Sequence, residues 1–91
     1  FEITTKMHVF DEAVFDLLEE TLASNLKALV IGHDDAGVFS AGANLNYFLD
    51  NARSGDFAAI ETRIRRGQAM MMQLKFSAIP SVAALSGLAL G

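Results

Sequence analysis

The chain has no cysteine and no tryptophan, a single proline at Pro80, and no apolar run long enough to cross a bilayer. The absence of cysteine excludes disulfides and thiolate metal sites. The two histidines, His8 and His33, stand far apart without ligand spacing or a matching carboxylate set, so no metal is expected. Basic residues are scarce: Lys and Arg total 7 against 11 Asp and Glu, a net charge of -4. No basic run of the kind a nucleic-acid surface requires is present, and the cluster Arg63, Arg65, Arg66 is local and mixed with Glu61. The apolar stretch Ile79 to Gly91 is too short and too interrupted to span a membrane, and no targeting segment is visible. A cytoplasmic location is therefore expected. With 52% hydrophobic and 20% charged residues, the chain reads as globular. Its 91 residues make at most one small domain. The apolar content is high for that length, which suggests that part of the surface meets more protein.

Hydrophobic periodicity orders the chain. Phe1 to Thr5 reads as the end of a strand and Lys6 to Phe10 as a connecting turn. Asp11 is a good N-cap for a helix to about Ser24, with Val14, Leu18 and Leu22 as an apolar stripe and Leu17 beside them. Ala28 to Ile31, closed by Gly32, reads as a strand buried on both faces. A glycine-punctuated loop with a polar His33-Asp34-Asp35 start leads to a helix from near Asn44 to about Arg53, closed by Ser54-Gly55. Asp56 caps the longest helix, roughly Phe57 to Lys75. Ile60, Ile64, Met71 and Leu74 are expected on its buried face, and Glu61 with Arg65 forms an i,i+4 pair. Gly67 in mid-helix suggests a close helix contact. Arg63 and Arg66 read as an exposed helix face. Pro80 opens a strand over Ser81 to Leu85, small and apolar and so expected to be central, and Leu88 to Gly91 leads toward another glycine-rich helix start. The order implies an α/β fold with a mainly parallel sheet and helical crossovers.

The stretch from Ala28 to Leu45 is the focus. Ser40-Ala41-Gly42-Ala43 brings nearly bare backbone to a helix start, which lets another molecule approach the main chain. Unpaired N–H groups and the helix dipole favour negative charge there. Phosphate binding and oxyanion stabilisation both fit, as does a plain strand-to-helix turn. The phosphate reading is the weaker of the first two. Gly37 and Gly42 have the glycine spacing of a Walker loop, but Ala43-Asn44 stands where lysine and a hydroxyl belong. An oxyanion hole needs only aimed N–H groups. Ser40 and Ser86 lack the G-x-S-x-G context of a nucleophile. Met70, Met71 and Met72 read as core and packing residues, with an acyl pocket as the alternative.

Phe39-Ser40-Ala41-Gly42-Ala43-Asn44-Leu45 resembles the F-x-A-G-A-D-[LI] motif of the crotonase (enoyl-CoA hydratase/isomerase) family. Ile79 to Gly91, IPSVAALSGLALG, resembles that family's K-P-[VT]-[IV]-A-A-[VI]-x-G-x-[AC]-x-G-G-G. The motifs occur in the family's order and separation. Asn44 in place of the commoner Asp resembles bacterial proteins that fuse this domain to a 3-hydroxyacyl-CoA dehydrogenase.

The resemblance implies a crotonase-like spiral of ββα units, with residues 1–91 as the N-terminal part of a longer domain. It implies a coenzyme A thioester as ligand, its carbonyl held between two backbone N–H groups. Ala43 matches the first donor. Gly91 matches the first glycine of G-G-G, so the second donor is expected one residue further on. Ala41 matches a contact to the adenine end of coenzyme A, and Asn44 and Leu45 match the thioester channel. Lys6, Met7 and His8 match an early loop bordering the cofactor, with His8 replacing the usual Asn. Hydratase glutamates are expected past Gly91, and Glu61 is not assigned catalysis. The implied activity is hydration of enoyl-CoA in fatty-acid β-oxidation, with isomerase, hydrolase and non-catalytic acyl-CoA-binding alternatives. NAD enters only with a fused dehydrogenase. Trimer-based self-association is implied for the complete protein.

Overall fold

A computed structural model describes the whole chain, Phe1–Gly91. Asp11 and Asp56 cap their helices as the sequence indicates, and Asn44, near which the middle helix is expected to start, proves to be its cap. Asp11 accepts the Val14 N–H at 3.0 Å and opens α1 (Glu12–Ala23). Asn44 accepts the Asn46 N–H at 3.1 Å and opens α2 (Leu45–Ser54). Asp56 accepts the Ala59 N–H at 3.0 Å and opens α3 (Phe57–Lys75). Each cap satisfies a donor that the first helical turn leaves without a partner. Gly55 closes α2 with φ 77°, in the left-handed region.

On α1, Val14, Phe15 and Leu18 are buried and Leu22 packs beside them. Leu17, expected with the stripe, is 50% exposed, and Phe15 takes the inward place. At 100° per residue, positions 14, 15, 18 and 22 share one face and 17 falls off its edge. The buried face of α3 also differs from expectation. Met70 and Arg63 are buried, Ile60 and Leu74 are half-buried, and Ile64 and Met71 are exposed. The inward row is Arg63, Gly67, Met70, Leu74, and it lies along α1. A Cβ on Gly67 would meet Phe15 Cζ at 3.6 Å, so the close helix contact is real. The Arg63 and Arg66 face is therefore not an open one. Arg66 reaches Glu12, Asp16 at 2.6 Å and Glu19 at 3.1 Å, all on α1. Hydrogen bonds to Glu19 and then Asp16 raise the Arg66 guanidinium above its ordinary pKa. The expected Arg65–Glu61 pair forms at 2.7 Å on the wet side.

Four short strands, β1 (Leu29–Ile31), β2 (Val38–Ser40), β3 (Ser81–Ala83) and β4 (Leu88–Ala89), make two parallel pairs. β1 pairs with β3, Val30 opposite Val82, and β2 pairs with β4. Parallel strands need a crossover, which α2 and α3 supply. The core holds Phe15, Leu18, Leu29 and Met70, ringed by Phe10, Leu26, Ile31 and other partly buried apolar side chains.

Several strand expectations are corrected. Phe1 to Thr5 forms no strand, although the Phe1 N-terminus donates to Val30 O and Phe1 O accepts the Gly32 N–H. β1 is buried on one face only: Leu29 is buried and Val30 is 58% exposed. β3 is shorter than expected and exposed throughout, because each sheet has only two strands and nothing covers its far side. Val38–Ser40 is a strand inside the stretch read as loop, and Leu88–Ala89 is a strand where a helix approach was expected. Gly87, at φ 62°, makes the β2–β4 approach possible. A Cβ there would collide with Gly37 O.

Candidate functional site

The turn after Thr5 and the end of β2 form one hydrogen-bonded unit. The Ala41 N–H donates to Met7 O at 3.0 Å. Ser40 is 3% exposed; its hydroxyl donates to His8 O at 2.7 Å and accepts the Gly42 N–H at 3.0 Å. The Phe10 N–H donates to Gly42 O at 2.8 Å, and Phe10 O accepts the Asn44 N–H at 3.3 Å. Met7 and His8 hold left-handed backbone, φ 57° and 51°, within the short 3-10 turn Lys6–His8. Such strain in non-glycine residues costs about 1–3 kcal/mol each and persists only where surrounding bonds fix it. The bonds from Met7 O and His8 O into the loop are of that kind.

Between the two Phe10 bonds sits Ala43. It is exposed, and its N–H donates to no group of the protein. Its neighbours are committed: Gly42 N–H to Ser40 and Asn44 N–H to Phe10. Gly42 has φ 83°, and a Cβ there would lie 3.1 Å from Leu90 O and 3.4 Å from Gly91 C. The chain end that carries Gly91 thus lies against the loop.

Ala43 borders two concavities. One, of about 350 Å³, is lined by Lys6, Met7, Val9, Ala41, Ala43, Asn44, Leu45 and Asn46. It gathers all the sequence-indicated residues of the early loop and the motif except His8. The other, a groove of about 680 Å³, runs between α2 and α3 and is lined by Phe48, Ile64, Met71, Met72, Phe15 and Arg63, among others. Met70 is core, while Met71 and Met72 face this groove. A free backbone donor thus lies where a hollow carrying lysine and asparagine meets a mostly apolar one. The arrangement suits a ligand with a polar end, a polarisable carbonyl and an apolar tail.

The histidines do something else. The bonding pattern assigns His8 an Nδ1–H that donates to Val38 O at 2.7 Å. His33 donates from Nε2 to Phe39 O at 2.9 Å and accepts the Asp35 N–H on Nδ1 at 3.1 Å. Their rings meet at a tilt of 33° with centroids 3.8 Å apart. They brace β2 and do not line either concavity. Asp35 accepts the Gly37 N–H at 2.8 Å, and this bond holds its carboxyl below the usual carboxylate range.

Two contributors escaped the sequence reading. Ser40 has no signal beyond its place in the motif. Arg63 is 5% exposed, bonded to Glu12 and to Phe10 O at 3.2 Å, and packed over the Phe15 and Tyr47 rings at 4.7 and 5.1 Å. Its burial, with the nearby Arg66 charge, pushes its pKa below the ordinary arginine value. Its spacing to Gly67, Met70 and Leu74 was the available signal, masked by its charge.

The relatives define a class first. The chain is 36% identical over 93 residues to a protein of Rickettsia prowazekii provisionally named as a fatty acid oxidation complex trifunctional enzyme, matching 100% of this chain and 13% of that protein. It is 45% identical over 74 residues to a protein of Bacillus subtilis provisionally named as a 3-hydroxyacyl-CoA dehydrogenase, matching 81% of this chain and 9% of that protein. The chain therefore spans about 13% of the length of the first of these relatives. An uncharacterised protein of Rickettsia conorii, RC0838, is 34% identical over 82 residues, covering 87% of this chain and 83% of its own length. The chain belongs to one family with that protein and is homologous to a segment of larger proteins, one named for fatty acid oxidation and one as a 3-hydroxyacyl-CoA dehydrogenase. No protein-family profile and no solved structure matches it. No helix is long and apolar enough to cross a membrane.

Proposed function

We propose that the chain is the acyl-CoA-binding part of a crotonase-like enoyl-CoA hydratase domain in a fatty acid oxidation polypeptide. The observation that carries this is the unpartnered Ala43 N–H at the junction of the two concavities. On this reading the thioester carbonyl sits against Ala43. The cofactor lies along Lys6, Met7, Ala41, Asn44 and Leu45, and the acyl chain enters the groove beside Met71 and Met72. Charge that develops on the carbonyl oxygen as an enolate meets a donor already in place, which avoids reorganisation in the transition state. The second donor and the glutamates that handle the proton and water are proposed to come from the remainder of the polypeptide. The names of the relatives support a 3-hydroxyacyl-CoA dehydrogenase in the same protein, and NAD enters this proposal only with that dehydrogenase. The crotonase-like spiral and its trimer-based self-association belong to the same proposal.

The test is turnover of crotonyl-CoA by the full-length polypeptide, compared with Ala43→Pro, which removes the N–H. Loss of one such donor costs about 3 kcal/mol, or roughly 10²-fold in kcat. Binding of crotonyl-CoA without turnover would point instead to a non-catalytic acyl-CoA module. Isomerisation without hydration would move the reaction within the family. Absence of both binding and turnover would sink the reading.

A further inference from the structure

Arg63 is an unusual resident of a helix interface. It is 5% exposed, on the longest helix, in a chain whose inward residues are otherwise nearly all apolar. Removing a guanidinium from water is costly unless all its donors find partners. One partner is the Glu12 carboxylate. Another is Phe10 O, 3.2 Å from Nη2. The Arg63 Cζ lies over the Phe15 and Tyr47 rings, 4.7 and 5.1 Å from their centroids. A plain ion pair between α1 and α3 would need none of the last three, and Arg66 already ties α3 to Glu12, Asp16 and Glu19.

The Phe10 contact has a specific consequence. Phe10 O also accepts the Asn44 N–H, and Phe10 N–H donates to Gly42 O. These two bonds bracket Ala43. The Phe10 N–H bond holds the Gly42–Ala43 peptide that carries the free N–H, and the Phe10 carbonyl, which also accepts from Arg63, holds the Asn44 N–H on its other side. Arg63 also lines the groove beside Ala43. We infer that Arg63 is a positioning residue for the Ala43 donor, acting through the Phe10 carbonyl. The inference rests on the oxyanion role proposed for Ala43.

Lysine at this position keeps a cation for Glu12, but as a single compact ammonium it lacks the planar fork that serves Glu12 and Phe10 O together. Displacements of about 1 Å at a reacting group can cost about 10²-fold in rate. The experiment compares crotonyl-CoA kinetics of the full-length polypeptide with Arg63→Lys and Glu12→Gln, alongside their thermal stabilities. The expected result is a fall in kcat of roughly tenfold or more for Arg63→Lys with KM nearly unchanged, and a much smaller fall for Glu12→Gln. Should Arg63→Lys not fold, Arg63→Gln, a shorter neutral donor, takes its place in the same comparison. Unchanged kcat in a folded Arg63 variant overturns the inference. An equal loss in Glu12→Gln does so as well, because the ion pair alone would then explain the effect. If the unaltered polypeptide turns over crotonyl-CoA and Ala43→Pro does too, the oxyanion reading has failed and the Arg63 inference with it.

Discussion

At the scale of single residues, the commitments around the Ala43 loop are backbone geometry and buried hydrogen bonds, and each has a measurable cost. Ser40 spends both roles of its hydroxyl inside the protein, as donor to His8 O and acceptor from Gly42 N–H. Ser40→Ala leaves both partners unpaired, so a loss of about 1–3 kcal/mol is expected in denaturant unfolding of the full-length protein. Asp35 offers a pH test. Its carboxyl is held low by the Gly37 N–H, so the ionised form is the one the fold favours. Its contribution is fully present above the unfolded carboxylate pKa of about 3.9 and disappears as pH falls through the lower folded value. The Gly37 amide resonance should therefore move during acidification below about pH 4, and Asp35→Asn should abolish that movement. Movement that persists in Asp35→Asn would assign it to another group.

At the scale of elements, much was legible. The helix starts follow from Asp11, Asn44 and Asp56, because a capping carboxylate or amide acts locally and leaves a local trace. Gly67 announced the contact with Phe15 for a similar reason. The faces were read less well. Hydropathy placed Ile64 and Met71 inward and Arg63 outward, whereas Glu12 and Phe15 of α1 and Tyr47 of α2 bring a carboxylate and two rings that make a buried arginine tolerable. That compensation is nonlocal and invisible along the chain. β2 and β4 were missed because each is too short to show alternation and is held by a partner about fifty residues distant. Gly67 also yields a prediction. An added Cβ meets Phe15 at an ordinary contact distance of 3.6 Å, so Gly67→Ala should fit. It should stabilise α3 by about 0.5–1 kcal/mol, read as a raised midpoint of unfolding. A lowered midpoint would mean that the helix pair is tighter than described. Of the candidate site, Lys6, Met7, Ala41, Ala43, Asn44 and Leu45 border one hollow, while the His8 ring is drawn to Val38 and His33.

At the scale of the whole molecule, surface is the dominant fact. The chain exposes 6084 Å². A compact monomer of its mass exposes about 5,200 Å². Its radius of gyration is 13.9 Å, where about 12 Å is usual for this length. Only 9 of 91 residues are buried, and Val30, Val82, Leu85 and Leu90 lie open on or beside the two-stranded sheets. With so small a core, the 91 residues in isolation should unfold without a sharp transition and bind a hydrophobic dye. A cooperative thermal transition of a dye-silent monomer would contradict this.

The clamp between Phe10 and the Ala43 loop carries one more consequence. The seven letters from Phe39 to Leu45 look like a self-contained device, but the bonds that shape them come from Met7, His8 and Phe10, more than thirty positions upstream. The motif is therefore not portable. Spliced into another strand-to-helix turn, it would bring its spelling and leave its geometry behind. A peptide that copies it should show no preference for a thioester over a simple ester. Whatever the site does, it becomes able to do only after the first ten residues have docked.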